Sequence, residues 1–308
     1  MALPLHEEIP LFSIIEERII KNSFPLYPVP TGLTPKLKKI QNIRCVIFDI
    51  YGTLVISESG DINPTVGQSN HFEKALFNCG LHNLPEELGK QVRDLYFSLI
   101  NKTHAEKKQI GVKYPEVDII YIWDTIVTEL IDDKLIPLEK RRIFPVLLAV
   151  EYEFLSNCVW PMPGVIDILD YLKIINLPIG IVSNAQFYTQ FIFTALLKRS
   201  VTDLGFSPNL CVWSYQEGIA KPATDLFFKI LEYSKKEIKD INAEEILYVG
   251  NDMLNDILAA KNAGLQTALF AGDKRSLRLR QENELCNNLN PDIIITDLLQ
   301  IKDLFSSD

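Results

Sequence analysis

From residue 163 onward the chain alternates between stretches of helical and strand character, and this alternation limits the possible fold more than any other feature. The helix-period stretch "GVIDILDYLKII" precedes the short run "LPIGIVSN", and "QFYTQFIFTALLK" precedes "LCVWSY". "PATDLFFKILEYSKK" leads to "EILYVGND", and "NDILAAKNAG", closed by Gly264, leads to "QTALF". Strands alternating with helices of this length form a mostly parallel, doubly wound sheet of the Rossmann-like α/β class. One further strand lies far upstream. "IRCVIFDI" (43–50) is apolar without alternation, as expected of a strand buried on both faces.

Residues 64–157 separate that strand from the rest. They carry four helix-period runs, "NHFEKALFNCGL", "PEELGKQVRDLYFSLINKTHAEKK", "PEVDIIYIWDTIVTELI" and "LEKRRIFPVLLAVEYEFL", each apolar on one face. Two open on "PE", with proline near the first turn and an acid at the positive helix end. The expected organisation is an N-terminal extension (1–42), a first core segment (43–63), an all-helical module (64–157) inserted after the first core strand, and a second core segment (158–308). In the extension an amphipathic helix near "PLFSIIEERIIKN" is followed by "FPLYPVPTGLTPKL", too rich in proline for a helix or central strand. It reads as an arm packed over the core.

Composition narrows the partners. The formal charge is −9 with no basic block, which argues against nucleic acid or an anionic membrane. Five scattered cysteines without a C-x-x-C pair suggest reduced thiols. The N-terminus lacks a basic start, and no run approaches the roughly 18 apolar residues of a membrane span. A cytoplasmic protein is the expectation.

In an open parallel sheet, ligands bind beyond the carboxyl ends of the strands. Three strands here end in polar groups: Asp49 with Tyr51-Gly52-Thr53, then Ser183-Asn184, then Gly250-Asn251-Asp252 with Asp256 four residues on. Lys221 stands just before Pro222 at a helix start. A carboxylate on a tight turn can attack an electrophile and form a covalent intermediate. Gly52 permits the backbone such a turn needs. Thr53 and Ser183 offer hydroxyl donors, and Lys221 is a point charge able to neutralise nucleophile and substrate. Converging carboxylates would repel, and a hard divalent cation with oxygen ligands would resolve that.

"VIFDIYGTL", "IGIVSNA", "GIAKPATDLF" and "ILYVGNDMLNDILAA" together resemble the four motifs of the haloacid dehalogenase superfamily, over roughly residues 43–298. The helical module stands where that family carries its first-type cap. The resemblance implies Asp49 as covalent nucleophile and Mg²⁺ ligand, with the carbonyl of Tyr51 on the metal. It implies Thr53, Ser183 and Asn184 around the transferred group, and Lys221 as charge stabiliser. Asp252 and Asp256, with Asn251 beside them, would form the metal side.

Two departures pull apart. Phosphatases of the superfamily usually carry an aspartate acid/base where this chain has Tyr51, and "D-x-Y-G-T" instead looks like the 2-haloacid dehalogenases, whose halide leaves without a proton. A phenol near pKa 10 serves poorly as acid and base at neutral pH. Against that, dehalogenases lack the metal and use an early cap arginine, and none occurs here between Arg44 and Arg93. The acidic fourth motif favours, by a small margin, a Mg²⁺-dependent phosphatase of a small phosphorylated metabolite. A 2-haloacid dehalogenase-type hydrolase, or a non-catalytic phospho-ligand binder, is the alternative.

Overall fold

Cys45, Val46, Ile47 and Phe48 are fully buried, because the strand they form has a parallel neighbour on each side. The computed structural model describes residues 5–40, 42–59, 69–82 and 85–305. Its strands are β1 (Cys45–Phe48), β2 (Val55–Ser57), β3 (Val159–Pro161), β4 (Ile179–Ser183), β5 (Phe206–Trp213), β6 (Ile246–Gly250), β7 (Gln266–Phe270) and β8 (Ile293–Ile295). Six of them form a parallel sheet in the order β5-β4-β1-β6-β7-β8. The strand order reverses around β1, so the carboxyl ends of β4, β1 and β6 lie side by side at the crevice where such sheets bind ligands.

The helices are α1 (Leu5–Asn22), α2 (Ser69–Asn78), α3 (Leu88–Gln109), α4 (Ile119–Asp132), α5 (Phe144–Ser156), α6 (Val165–Ile174), α7 (Phe191–Leu197), α8 (Ser214–Glu217), α9 (Asp225–Glu237) and α10 (Ala259–Asn262). Among the described residues no helix is long and apolar enough to cross a membrane. The sheet, flanked by helices, is the α/β class read from the alternation. The short antiparallel pair β2–β3 was not anticipated, and neither was β8 at the sheet edge.

Helices α2 to α5 lie between β2 and β3 and build a core of their own. The Phe72 ring sits 4.1 Å from Tyr152 and 5.3 Å from Tyr96, with Trp123 5.9 Å from Tyr152, all centroid to centroid. Large rings at tilted and edge geometries bury much area within one small module. The expected boundary at 63/64 lies outside the described residues.

One helix starts later than its sequence suggests. The run opening on Pro115 becomes helical only at Ile119, capped by the Asp118 carboxylate on the amide of Ile120. Pro115 instead faces Ile219 in an antiparallel bridge. The Glu116 amide donates to Gly218, and Ala220 donates to Tyr114. Partners on the sheet side thus replace the first helical turn, a tertiary override of the "PE" signal.

That bridge buries Glu116. Its carboxylate accepts from Ser214 Oγ at 2.9 Å and from the amide of Val117 at 2.9 Å. Burial raises its pKa above that of an ordinary glutamate, against the pull of those bonds and of Lys107. A raised folded-state pKa means the folded protein takes the proton first as pH falls, so stability increases downward through that window. The melting temperature of wild type relative to Glu116→Gln should therefore climb as the pH falls towards the ordinary glutamate range. A pH-independent difference would refute the buried-charge account.

The N-terminal arm reaches both modules. Glu151 on α5 is fully buried and pairs with Arg18 of α1, while Asn22 and Asn78 donate to its other oxygen at 3.3 and 2.6 Å. On its other flank, α1 sets Phe12 5.2 Å from Phe191 of α7. Beyond the helix, Thr31 Oγ1 donates to Ala271, and Lys36 pairs with Ile294 on the edge of β8.

Candidate active site

Asp49 follows the last residue of β1, and its amide donates to Val249 of β6 at 2.9 Å. The next turn is tight. Gly52 has φ +81°, and a Cβ there would lie 2.5 Å from Ser276 Cβ and 2.6 Å from Asn251 Nδ2. Only glycine fits both the backbone and the space. The turn holds the Asp49 side chain at the mouth of the sheet, almost wholly buried.

One oxygen of Asp49 is held and the other is open. Oδ1 accepts from Ser183 Oγ at 2.8 Å and from Lys221 Nζ at 2.7 Å. No hydrogen bond from the described residues reaches Oδ2. Lys221 Nζ also contacts Asp256 Oδ1 at 2.6 Å and the Tyr248 hydroxyl at 3.1 Å. Burial works against the lysine's charge, but Asp256 and Asp49 outweigh it and raise its pKa above that of ordinary lysine. The pair holds its proton on the nitrogen.

The fourth motif is arranged around Asp256. Its Oδ2 accepts the amides of Asn251 and Asp252, both at 2.9 Å, and its Oδ1 also takes the Tyr248 hydroxyl at 3.0 Å. To reach back, the chain opens a π-helix over Met253–Leu258 in place of the regular helix expected there. Single widened turns of this kind are frequent at functional sites. Asp256 is 1% exposed, and burial is the largest influence on its carboxyl, which rises to about 6 despite Lys221.

The metal side expected from the sequence is assembled differently. Asp252 caps the π-turn through the amides of Leu254 and Asn255, and Arg280 grips it with Nη2 at 2.6 Å and Nε at 3.1 Å. Asn251 accepts from Thr53 Oγ1 at 3.2 Å and donates to Ser276 O at 2.6 Å. Asp256 is saturated by four donors. Among the described residues, no group of three or more His, Cys, Asp or Glu side chains could hold a metal ion. In this arrangement Asp49 Oδ2 is open, and a divalent cation held by Asp49, the Tyr51 carbonyl, Asn251 and Asp252 would need Arg280 to release Asp252, while four donors engage Asp256.

Other assignments shift as well. Thr53 is fully buried against Asn251 and is engaged in holding the fourth motif rather than facing a substrate. Asn184 clasps the backbone of Lys221, accepting from its amide at 2.7 Å and donating to its carbonyl at 3.3 Å. Tyr51 borders the cleft, but its hydroxyl meets Thr189 Oγ1 at 3.0 Å. Burial above all, then the charge of Glu153, drives its pKa well above that of ordinary tyrosine. It cannot serve as base at neutral pH and is a weak acid.

Asp49, Tyr51, Asn184, Lys221, Asp252 and Asp256 do line one cleft, of about 50 Å³. Three participants escaped the sequence reading. Tyr248 looked like core in "ILYVGND", since a buried tyrosine announces nothing about its hydroxyl. Arg278 and Arg280 lie in "RSLRLR", where a density of cations in a chain of charge −9 was the available signal.

Comparison with known proteins bears on the family and the fold. The chain is similar to the rhythmically expressed gene 2 protein of Drosophila melanogaster, 26% identical over 242 residues that cover 76% of this chain and 85% of that protein. Its fold is similar to that of a 2-haloacid dehalogenase from Pseudomonas syringae, with a TM-score of 0.52 at 18% identity, covering 85% of this chain and 98% of the other. The model of the haloacid dehalogenase-like hydrolases matches residues 43–264, most of the sequence and every strand end that lines the cleft. The chain belongs to the haloacid dehalogenase-like hydrolase family.

Proposed function

We propose that the protein hydrolyses a small anionic substrate through an ester formed on Asp49, with a leaving group that departs as a stable anion. The observation that carries this reading is the buried Lys221 ammonium bridging Asp49 and Asp256, while Arg280 satisfies Asp252. The argument for a cation was uncompensated acid, and Lys221 and Arg280 supply two of the three positive charges that Asp49, Asp252 and Asp256 call for. Asp49 Oδ2 attacks the electrophilic centre and the leaving group takes its electron pair. Water then attacks the ester carbonyl, and the oxyanion forms on Oδ1, where Ser183 and Lys221 already donate. Its collapse breaks the Cγ–Oδ2 bond. The departing oxygen takes one water proton to leave as the hydroxy product, and the second proton goes to solvent as the Asp49 carboxylate is regenerated. Donors fixed in advance at such an oxygen are worth roughly 10²–10³-fold each. With Tyr51 unable to supply a proton readily, halides and similar leaving groups suit the site best.

The sequence-based alternative, a Mg²⁺-dependent phosphatase, keeps one observation in its favour: Asp49, Asp252 and Asp256 share the cleft. It requires Arg280 to release Asp252. A panel of L-2-chloropropionate, aryl phosphates and alkyl phosphates, each assayed in Mg²⁺ and in EDTA, separates the two. Turnover of the haloacid, unchanged by EDTA, is expected. Phosphate ester hydrolysis lost in EDTA and restored by Mg²⁺ would replace our reading with the alternative.

A further inference from the structure

The bonds to Asp49 depend on where the main chain of two loops is set. Residues 184–186 follow β4, and residues 214–221 follow β5 and end on Lys221. One short segment of the helical module, residues 114–119, is bonded to both.

On the Lys221 side, the Ala220 amide donates to Tyr114 O at 2.8 Å, and the Glu116 amide donates to Gly218 O at 3.0 Å. Lys107 of α3 clips this pair, its Nζ donating to Glu116 O at 2.5 Å and to Gly218 O at 3.3 Å. On the other loop, Gln186 Oε1 accepts from the Ile119 amide at 3.0 Å, and its Nε2 donates to Val117 O at 2.9 Å. The Glu116 carboxylate joins the two sides. It accepts from Ser214 Oγ, which itself accepts from the Ala185 amide at 2.9 Å. Asn184 closes the circuit by holding the amide and the carbonyl of Lys221. The lysine backbone is thus fixed by Asn184 directly and by Tyr114 from one residue away.

Lysine is a point charge on a flexible stem, so its backbone must be held if Nζ is to bridge Asp49 and Asp256. A misplacement of about 1 Å at a reacting centre costs roughly 10²-fold in rate. We propose that residues 114–119 are a positioning element for the reaction. Seated on both loops through Glu116, they set Lys221 on Asp49, so that turnover requires the helical module to be docked. This rests on the reading of Asp49 as nucleophile and Lys221 as its partner. Glu116 acts through Ser214 and the backbone of residues 218–220.

The test uses full-length Glu116→Ala, Glu116→Gln and Ser214→Ala, with Leu138→Ala, an exposed position of the helical module, as control. Glutamine can keep both side-chain contacts. Its oxygen accepts from Val117 and its nitrogen donates to Ser214 Oγ, whose own proton turns to Ala185 O, 3.2 Å away. Alanine keeps neither. The first readout needs no substrate. In protein labelled with heavy-nitrogen lysine, the Lys221 Nζ resonance is recognised by its loss in Lys221→Arg. It should shift or broaden in Glu116→Ala and stay in place in Glu116→Gln and Leu138→Ala. The second readout is turnover of whichever panel substrate is accepted, measured well below the Tm of each variant. Glu116→Ala should lose roughly 10–10²-fold in kcat with KM little changed, and Glu116→Gln should recover most of it. A merely structural role would lower Tm and leave the resonance and kcat alone. An unmoved resonance in Glu116→Ala overturns the proposal, and so does a loss confined to KM or a kcat equal to wild type. If Glu116→Ala fails to fold, Ser214→Ala is read by the same criteria, and if no panel substrate is accepted, the resonance decides. Failure of the Asp49 reading looks different: the resonance responds to Glu116→Ala, while turnover survives Asp49→Asn.

Discussion

Asp49→Asn is expected to lower turnover by roughly 10⁴-fold or more while leaving the fold intact. The amide keeps the shape of the carboxylate, and its oxygen can still accept from Ser183 and Lys221. What disappears is the charged Oδ2 that attacks. Stability should hold or rise, because two carboxylates share one ammonium in the wild type and the variant relieves their repulsion. Single-turnover reaction in heavy-oxygen water adds a direct readout. Attack of water on the ester carbonyl places the label in the Asp49 side chain, detectable in its peptide by mass spectrometry. Near-wild-type turnover in Asp49→Asn, or product labelled while Asp49 stays unlabelled, would remove the proposed route.

Lys221→Met should be the most destabilising change at the cleft. The lysine side chain is 4% exposed and its two partners 8% and 1%. Removing one member of a buried charge cluster costs about 3–5 kcal/mol, since the remaining charges are left without compensation. For a chain of this size that is roughly 5–8 °C in Tm. The penalty should shrink at pH 5, because Asp256, whose carboxyl burial raises to about 6, can then take a proton. Turnover should be lost at either pH. A Tm within 2 °C of wild type at neutral pH would show that Asp49 and Asp256 are not held as a charged pair around the lysine.

The sheet was legible because period and length leave little choice for "VIFDI", "IGIVS" and "ILYVG", each buried throughout in the structure. Asp49 and Ser183 were legible because strand ends converge by topology alone, and Lys221 and Asp256 because they stand in the turns and helix starts that follow such ends. Orientation was not legible. Asp252 and Asp256 are the same residue type four apart, yet one turns to Arg280 and the other to Lys221. That choice is made by a loop 28 residues downstream of Asp252 that has no periodic pattern. The late start of α4 was hidden for a similar reason. Nothing near Pro115 says that Ile219 will offer it a strand partner. The strand β8, three residues long, falls below the length at which alternation can be recognised.

The N-terminal arm has a consequence for the order in which the protein can be completed. Its anchors lie late in the sequence: Glu151, Phe191, Asp273 and finally Ile294, which pairs with Lys36. The ribosome releases the arm before any of them, and its last partner emerges 258 residues later on the counting from Lys36 to Ile294. Contacts of such separation bear a large loop-closure entropy and form late. Strand β1 is in the same position, since both of its neighbours are translated after the helical module. The helical module can acquire its aromatic core during synthesis, whereas the cleft waits for the final sixth of the chain. Nascent chains stalled before β8 should therefore lack the partner of Lys36 and leave the β7 edge open to wrong pairing, the segment on which a chaperone would act.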